Sequence, residues 1–120
     1  MIRTPQRALQ VSALIGAAAI GLGAFGAHGL EKLLISRDTL DTWETAAAYH
    51  LLHSLLLVVL ALHTPFKKLT WWLVAAGVLL FSGSLYIYAL SGVRWLAMLT
   101  PLGGLLLIAG WISLAFSRRS

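Results

Sequence analysis

The chain has 120 residues, of which 59% are hydrophobic and only 11% charged, with a net charge of +5. A soluble domain of this size carries about 25% charged residues and needs them to cover its surface, and a disordered chain is poor in apolar residues. Both classes are excluded, and a membrane protein of one domain remains.

The absence of cysteine removes disulfides, thiolate zinc sites, iron–sulfur clusters and cysteine nucleophiles. The basic balance does not point to nucleic acid, because the nine Lys and Arg are scattered along the chain and build no basic helix face. Four apolar stretches lie between the charges, at about residues 8–29, 43–63, 69–91 and 95–116. Roughly 20 helical residues cross a hydrocarbon core. Backbone groups must be paired within lipid, so the expectation is all-α: an integral four-helix bundle in a single domain, 1–120.

The first stretch follows Arg3 and Arg7 and contains Ala24-Phe25-Gly26, which also fits a signal peptide with its cleavage site. It is longer than a usual signal core and is read as the first span. Between the first and second spans, Leu30 to Thr42 reads as the one long loop. Asp41 with Glu44 three residues later reads as a capping box for the second helix. Pro65 and the Ser91-Gly92-Val93-Arg94 stretch mark two tight turns, so the second, third and fourth helices are antiparallel neighbours. Six of the nine basic residues fall at the termini and second loop, which predicts both termini in the cytoplasm. The four acids, Glu31, Asp38, Asp41 and Glu44, gather at the opposite side.

Small residues report helix contact faces in lipid. Ala19, Gly23 and Ala27 form one such groove; Gly26, Gly83, Gly103 and Gly104 are further packing candidates. Pro101 reads as a kink inside the fourth helix, freeing the carbonyl near Ala97. Trp43, Trp71, Trp72 and Trp95 lie at span ends and read as interfacial anchors.

His28, His50, His53, Ser82, Ser84, Tyr86 and Thr100 come from all four spans and gather in the outer half of the membrane on the assigned topology. His50 and His53 are three residues apart and share a helix face, flanked by Tyr49 and Ser54. Polar groups at membrane depth point to the bundle interior, where they serve a ligand or a pathway. Four readings follow: hydrogen bonds that lock the bundle, a bound lipid or quinone, a proton path, and a metal or haem iron. The HxxH spacing supplies two ligands where zinc wants three or four, so no metal site is assigned. No cofactor is implied, and no acid at depth serves as a general base, which makes the expected protein non-enzymatic.

Leu22-Gly23-Ala24-Phe25-Gly26-Ala27-His28-Gly29-Leu30, Tyr49-His50-Leu51-Leu52-His53, Phe81-Ser82-Gly83-Ser84-Leu85-Tyr86 and Thr100-Pro101-Leu102-Gly103-Gly104 together resemble the domain of unknown function 423 family. It includes YgdD-like bacterial inner-membrane proteins and eukaryotic transmembrane protein 256. The resemblance covers nearly the whole chain. It implies a multi-pass membrane protein, favours His53 over His50 as the informative histidine, and brings no activity, cofactor or catalytic residue. The expected setting is the bacterial cytoplasmic (inner) membrane. The expected partners are membrane lipids, with room for a homo-oligomer or a second membrane protein; alternative roles are a proton or ion conduit, a small transporter, or a structural subunit.

Overall fold

The computed structural model describes residues 5–117; Arg3, Arg118 and Arg119, which weigh in the orientation expectation, lie outside them. The described chain is helical, with no strand. Its elements are α1 (Gln6–Ala27), α2 (Glu31–Ser36), α3 (Leu40–Leu62), α4 (Lys68–Ser91) and α5 (Leu99–Ala115), the last entered through a 3-10 turn, Arg94–Met98. Four segments are long and apolar enough to cross a membrane: α1, α3, α4 and the run from Arg94 through α5. Gln6, Leu62, Lys68 and Ala115 mark the near end of the bundle; α2, Leu40, Ser91 and the 3-10 turn mark the far end.

Three differences from the sequence expectation have local causes. First, the long loop contains α2. Six residues are too few to display a helical period, but Leu34 is wholly buried with Trp43, Ala46, Tyr86 and Ala89 in the far-end core. Second, α3 begins at Leu40, and no Asp41–Glu44 capping box forms. Thr39 is the cap residue and makes no side-chain cap bond, because its hydroxyl donates instead to the Ala89 carbonyl of α4 at 2.8 Å. Asp41 lies in the first turn, where a negative charge suits the helix dipole. Third, Pro101 is the third residue of α5. A proline is tolerated in the first turn of an α-helix, and Pro101 lies there rather than in the interior of α5. The irregularity in this segment is the 3-10 turn Arg94–Met98 that precedes it.

Helix α4 stops at Gly92, whose φ of 71° is left-handed and whose N–H donates to the Tyr88 carbonyl at 2.7 Å. A residue without Cβ adopts that conformation at no steric cost.

Helix α1 packs on α3, α3 on α4, and α4 on α5, whereas the backbones of α1 and α4, and of α3 and α5, stay apart. In cross-section α3 and α4 form the centre, with α1 and α5 on opposite sides. Two tryptophans reach across the wider seams: Trp71 Nε1 donates to Ser12 Oγ at 3.0 Å, and Trp111 Nε1 donates to His53 Nε2 at 3.0 Å. Leu57, Leu60, Trp71, Val74, Val78 and Leu107 fill the near-end core between them.

Two of the expected anchors are therefore core residues. Trp43 is 2% and Trp71 5% exposed, because each indole N–H finds an acceptor on α1, which a buried tryptophan needs. Trp43 Nε1 donates to the Leu22 carbonyl at 2.8 Å. Trp72 and Trp95 do face outward.

The glycines divide in the same way. A Cβ at Gly26 would fall on the indole of Trp43, and one at Gly103 on the Phe81 backbone. At Gly23 it would touch the Ala47 Cβ at 3.8 Å and at Gly104 the Phe81 ring at 3.7 Å, which are ordinary contacts; at Gly83 it would meet nothing within 4 Å. Gly83 is thus not required for packing. In the α1 groove Ala19 is buried but Ala27 is exposed, because the contact with α3 passes through Gly26 instead.

Candidate functional site

The polar side chains expected to form one pocket are distributed over several seams. On α3, His50 and His53 share a side but engage different neighbours. His50 Nδ1 bonds the Tyr86 hydroxyl at 2.9 Å. Tyr86 in turn packs on Trp43, with ring centroids 4.7 Å apart. Ser82 donates to the Ala46 carbonyl at 2.8 Å. These residues join α3 to α4 and line a crevice of about 250 Å³ that reaches Ile15, Ala18 and Leu22 of α1.

Ser84 and Thr100 form a separate pair, hydroxyl to hydroxyl at 2.7 Å, between α4 and α5. His28 stands apart from the other six: it is the exposed residue that ends α1. Its place beyond the last helical turn takes it out of the bundle interior.

His53 faces α5. An indole N–H only donates and a carbonyl only accepts. His53 Nε2 therefore carries no proton when it accepts from Trp111, and Nδ1–H donates to the Tyr49 carbonyl at 2.9 Å. The imidazole is a neutral Nδ1–H tautomer with both nitrogens occupied, so neither offers a lone pair to a metal while these bonds stand. Among the described residues no group of three or more His, Cys, Asp or Glu is placed to hold a metal ion.

Around His53 the seam between α3 and α5 is open. Tyr49, His53, Phe81, Gly104, Leu107 and Trp111 line a groove of about 430 Å³. Tyr49 stacks on His53 with centroids 6.0 Å apart and leans on Phe81 at 4.7 Å; Trp111 meets His53 edge-on. His53 is 4% exposed, but Tyr49 and Trp111 are each 45% exposed, so the aromatic walls open outward. Every other described polar side chain at this depth is paired within the bundle. No buried side-chain nitrogen or oxygen lacks a partner among the described residues, and the hydroxyl of half-exposed Tyr49 hydrogen-bonds no described residue.

Sequence reasoning did not single out Trp111 or Phe81. The available signal was the indole N–H five residues inside the end of the fourth stretch, too deep for an interface anchor and in need of an acceptor. The histidine on another span was the acceptor at hand.

A family model, DUF423, described as a protein of unknown function, matches residues 22–104. The chain belongs to the DUF423 family. It is similar to UPF0382 membrane protein SH2409 of Staphylococcus haemolyticus, 45% identical over 89% of this chain and 90% of the relative. It is also similar to UPF0382 membrane protein YwdK of Bacillus subtilis, 44% identical over 78% and 80%. A fungal relative, UPF0382 membrane protein C1782.12c of Schizosaccharomyces pombe, is 40% identical over 87% and 94%. No solved structure matches the chain. These relatives and the four apolar helices make this DUF423 protein a multi-pass membrane protein. The family match includes His53, Tyr49, Phe81 and Gly104 of the groove; Trp111 lies beyond it.

Proposed function

We propose that the protein resides in the bacterial cytoplasmic membrane with both termini inside, is not an enzyme, and holds a small amphiphile in the α3–α5 seam. The open aromatic groove beside Tyr49, whose hydroxyl hydrogen-bonds no described residue, carries this reading. A hydroxyl facing lipid loses the hydrogen bonds it would make in water, and a guest that accepts one regains them. Flat aromatic walls with one donor suit the carbonyl-bearing ring of a lipid-soluble quinone better than a branched or highly charged guest.

The test is titration of the reconstituted protein with a short-chain quinone analogue, followed by tryptophan fluorescence. Saturable quenching is expected, reduced in Trp111→Phe because that indole lines the groove. Tyr49→Phe, lacking one hydrogen bond, should weaken binding about fivefold. Quenching that is linear in quinone, or a Kd identical in Tyr49→Phe, would refute the reading. Orientation is checked independently by thiol labelling of Ser36→Cys and Ser117→Cys in cells. Only the first should react with an impermeant reagent.

A further inference from the structure

A second groove, on the other side of the bundle, has different chemistry. It lies between α1 and α4, whose backbones stay apart, and encloses about 280 Å³. Arg7, the second residue of α1, and Lys68, the first of α4, both line it at the near end. Its walls continue through Val11 and Ile15 on α1 and Ala75 and Leu79 on α4. Leu79 is 11 residues from Lys68, about 16 Å along the helix. Across it, the Trp71 indole is tied to Ser12, so its N–H is satisfied and it offers only an apolar ring. The groove is thus charged at one mouth and apolar along its length.

Among the described residues no Asp or Glu lines the groove beside the two cations. All four acids belong to the far end, in α2, the turn after it and the start of α3. Both cations are exposed, and a long basic side chain at the membrane edge holds its charge at headgroup level.

We propose that the α1–α4 groove is a binding site for one anionic phospholipid, its phosphate held between Arg7 and Lys68 and one acyl chain laid along Val11, Ile15, Ala75 and Leu79. Charge complementarity selects the occupant: a zwitterionic lipid brings a cation of its own against Arg7 and Lys68, and an apolar helix of a partner leaves both unmatched. Basic pockets between spans bind anionic headgroups in this manner. The site is separate from the α3–α5 seam and does not depend on the quinone reading.

The full-length protein, reconstituted in equal phosphatidylglycerol and phosphatidylcholine and released into mild detergent, is examined by native mass spectrometry. One retained phosphatidylglycerol per chain is expected, in preference to phosphatidylcholine. At about fivefold per cation, Arg7→Gln with Lys68→Gln should weaken retention about 30-fold, whereas Arg7→Lys with Lys68→Arg should keep it. Equal retention of the two lipids, or undiminished retention in the glutamine variant, overturns the proposal. So does displacement by glycerol phosphate at the concentration at which intact lipid competes, since a free phosphate would then suffice and the apolar groove would be idle. A lipid-free dimer that buries the groove also overturns it. Selectivity is read on the wild type, so a misfolded variant leaves the decision intact.

Discussion

Trp111 and His53 are joined by one hydrogen bond, indole Nε1 to imidazole Nε2 at 3.0 Å, across a seam where the backbones of α3 and α5 stay apart. The bond fixes the histidine's tautomer, because Nε2 must be bare to accept and Nδ1–H must then serve the Tyr49 carbonyl. Nitrogen chemical shifts of labelled His53 in detergent should show a single Nδ1–H species. Trp111→Phe removes the donor while keeping an aromatic ring, and the Nε2–H form should then become populated. The variant should also lose about 0.6–2 kcal/mol of stability, the range of hydrogen bonds between membrane helices. A wild-type spectrum dominated by Nε2–H contradicts the geometry.

The glycines predict a graded series. Gly103→Ala forces a methyl group onto the backbone of Phe81, which no side-chain rotation relieves, and should cost at least about 1–3 kcal/mol. Gly26→Ala drives the Trp43 indole out of its place and should cost a similar amount, because the bond to Leu22 is lost with it. Gly83→Ala meets open space and should gain about 0.5–1 kcal/mol from the lower backbone entropy of alanine. Unfolding of the three variants in mixed micelles checks the order; equal effects at Gly103 and Gly83 would remove the packing argument.

How much of this was legible in the sequence depends on the range of the signal. The four spans could be read because 20 apolar residues are a long signal with one physical cause. The small-residue density of α1 could not tell whether Gly26 or Ala27 faces α3, since one residue turns the helix by about 100°. Six of the seven polar residues lie within the long helices, whereas His28 falls just past the end of α1. Their pairing was not legible, because Tyr86 chooses between His50 and other neighbours by helix rotation, which hydropathy does not report. The tryptophans misled for the same reason: Trp43 and Trp72 occupy similar places in sequence, and only the packed bundle turns one inward and the other out. Trp111 was invisible as a partner until α5 was set against α3.

That inward turn of Trp43 is itself testable. Its ring rests on Tyr86 and its N–H is bonded to α1, so Trp43→Phe removes a bond between helices and leaves the Leu22 carbonyl with only its intrahelical partner. A loss of about 1 kcal/mol is expected. Trp72→Phe, on the outward face, should fall within about 0.5 kcal/mol of wild type. Thermal unfolding of the two variants under identical micelle conditions separates a core tryptophan from a surface one. The opposite ranking would restore the anchor reading of Trp43.

Pro101 gives the sharpest contrast between a reading by position and a reading by structure. A proline in a helix interior costs about 3 kcal/mol, so its replacement by alanine there would stabilise the protein by a comparable amount and straighten the helix. In this fold Pro101 sits two residues after Leu99, the first residue of α5, and the 3-10 turn Arg94–Met98 precedes it. The proline lies in the first turn of α5, where it is tolerated. Pro101→Ala should therefore change stability by less than about 1 kcal/mol and leave the helical content measured by circular dichroism unchanged. The Ser84–Thr100 hydroxyl pair supplies a second readout. It spans α4 and α5 immediately before the proline, so Thr100→Val should destabilise by about 0.6 kcal/mol whether residue 101 is proline or alanine. A large stabilisation by Pro101→Ala, or a Thr100→Val effect that vanishes with it, would mean that α5 continues through the 3-10 turn and that the proline kinks it.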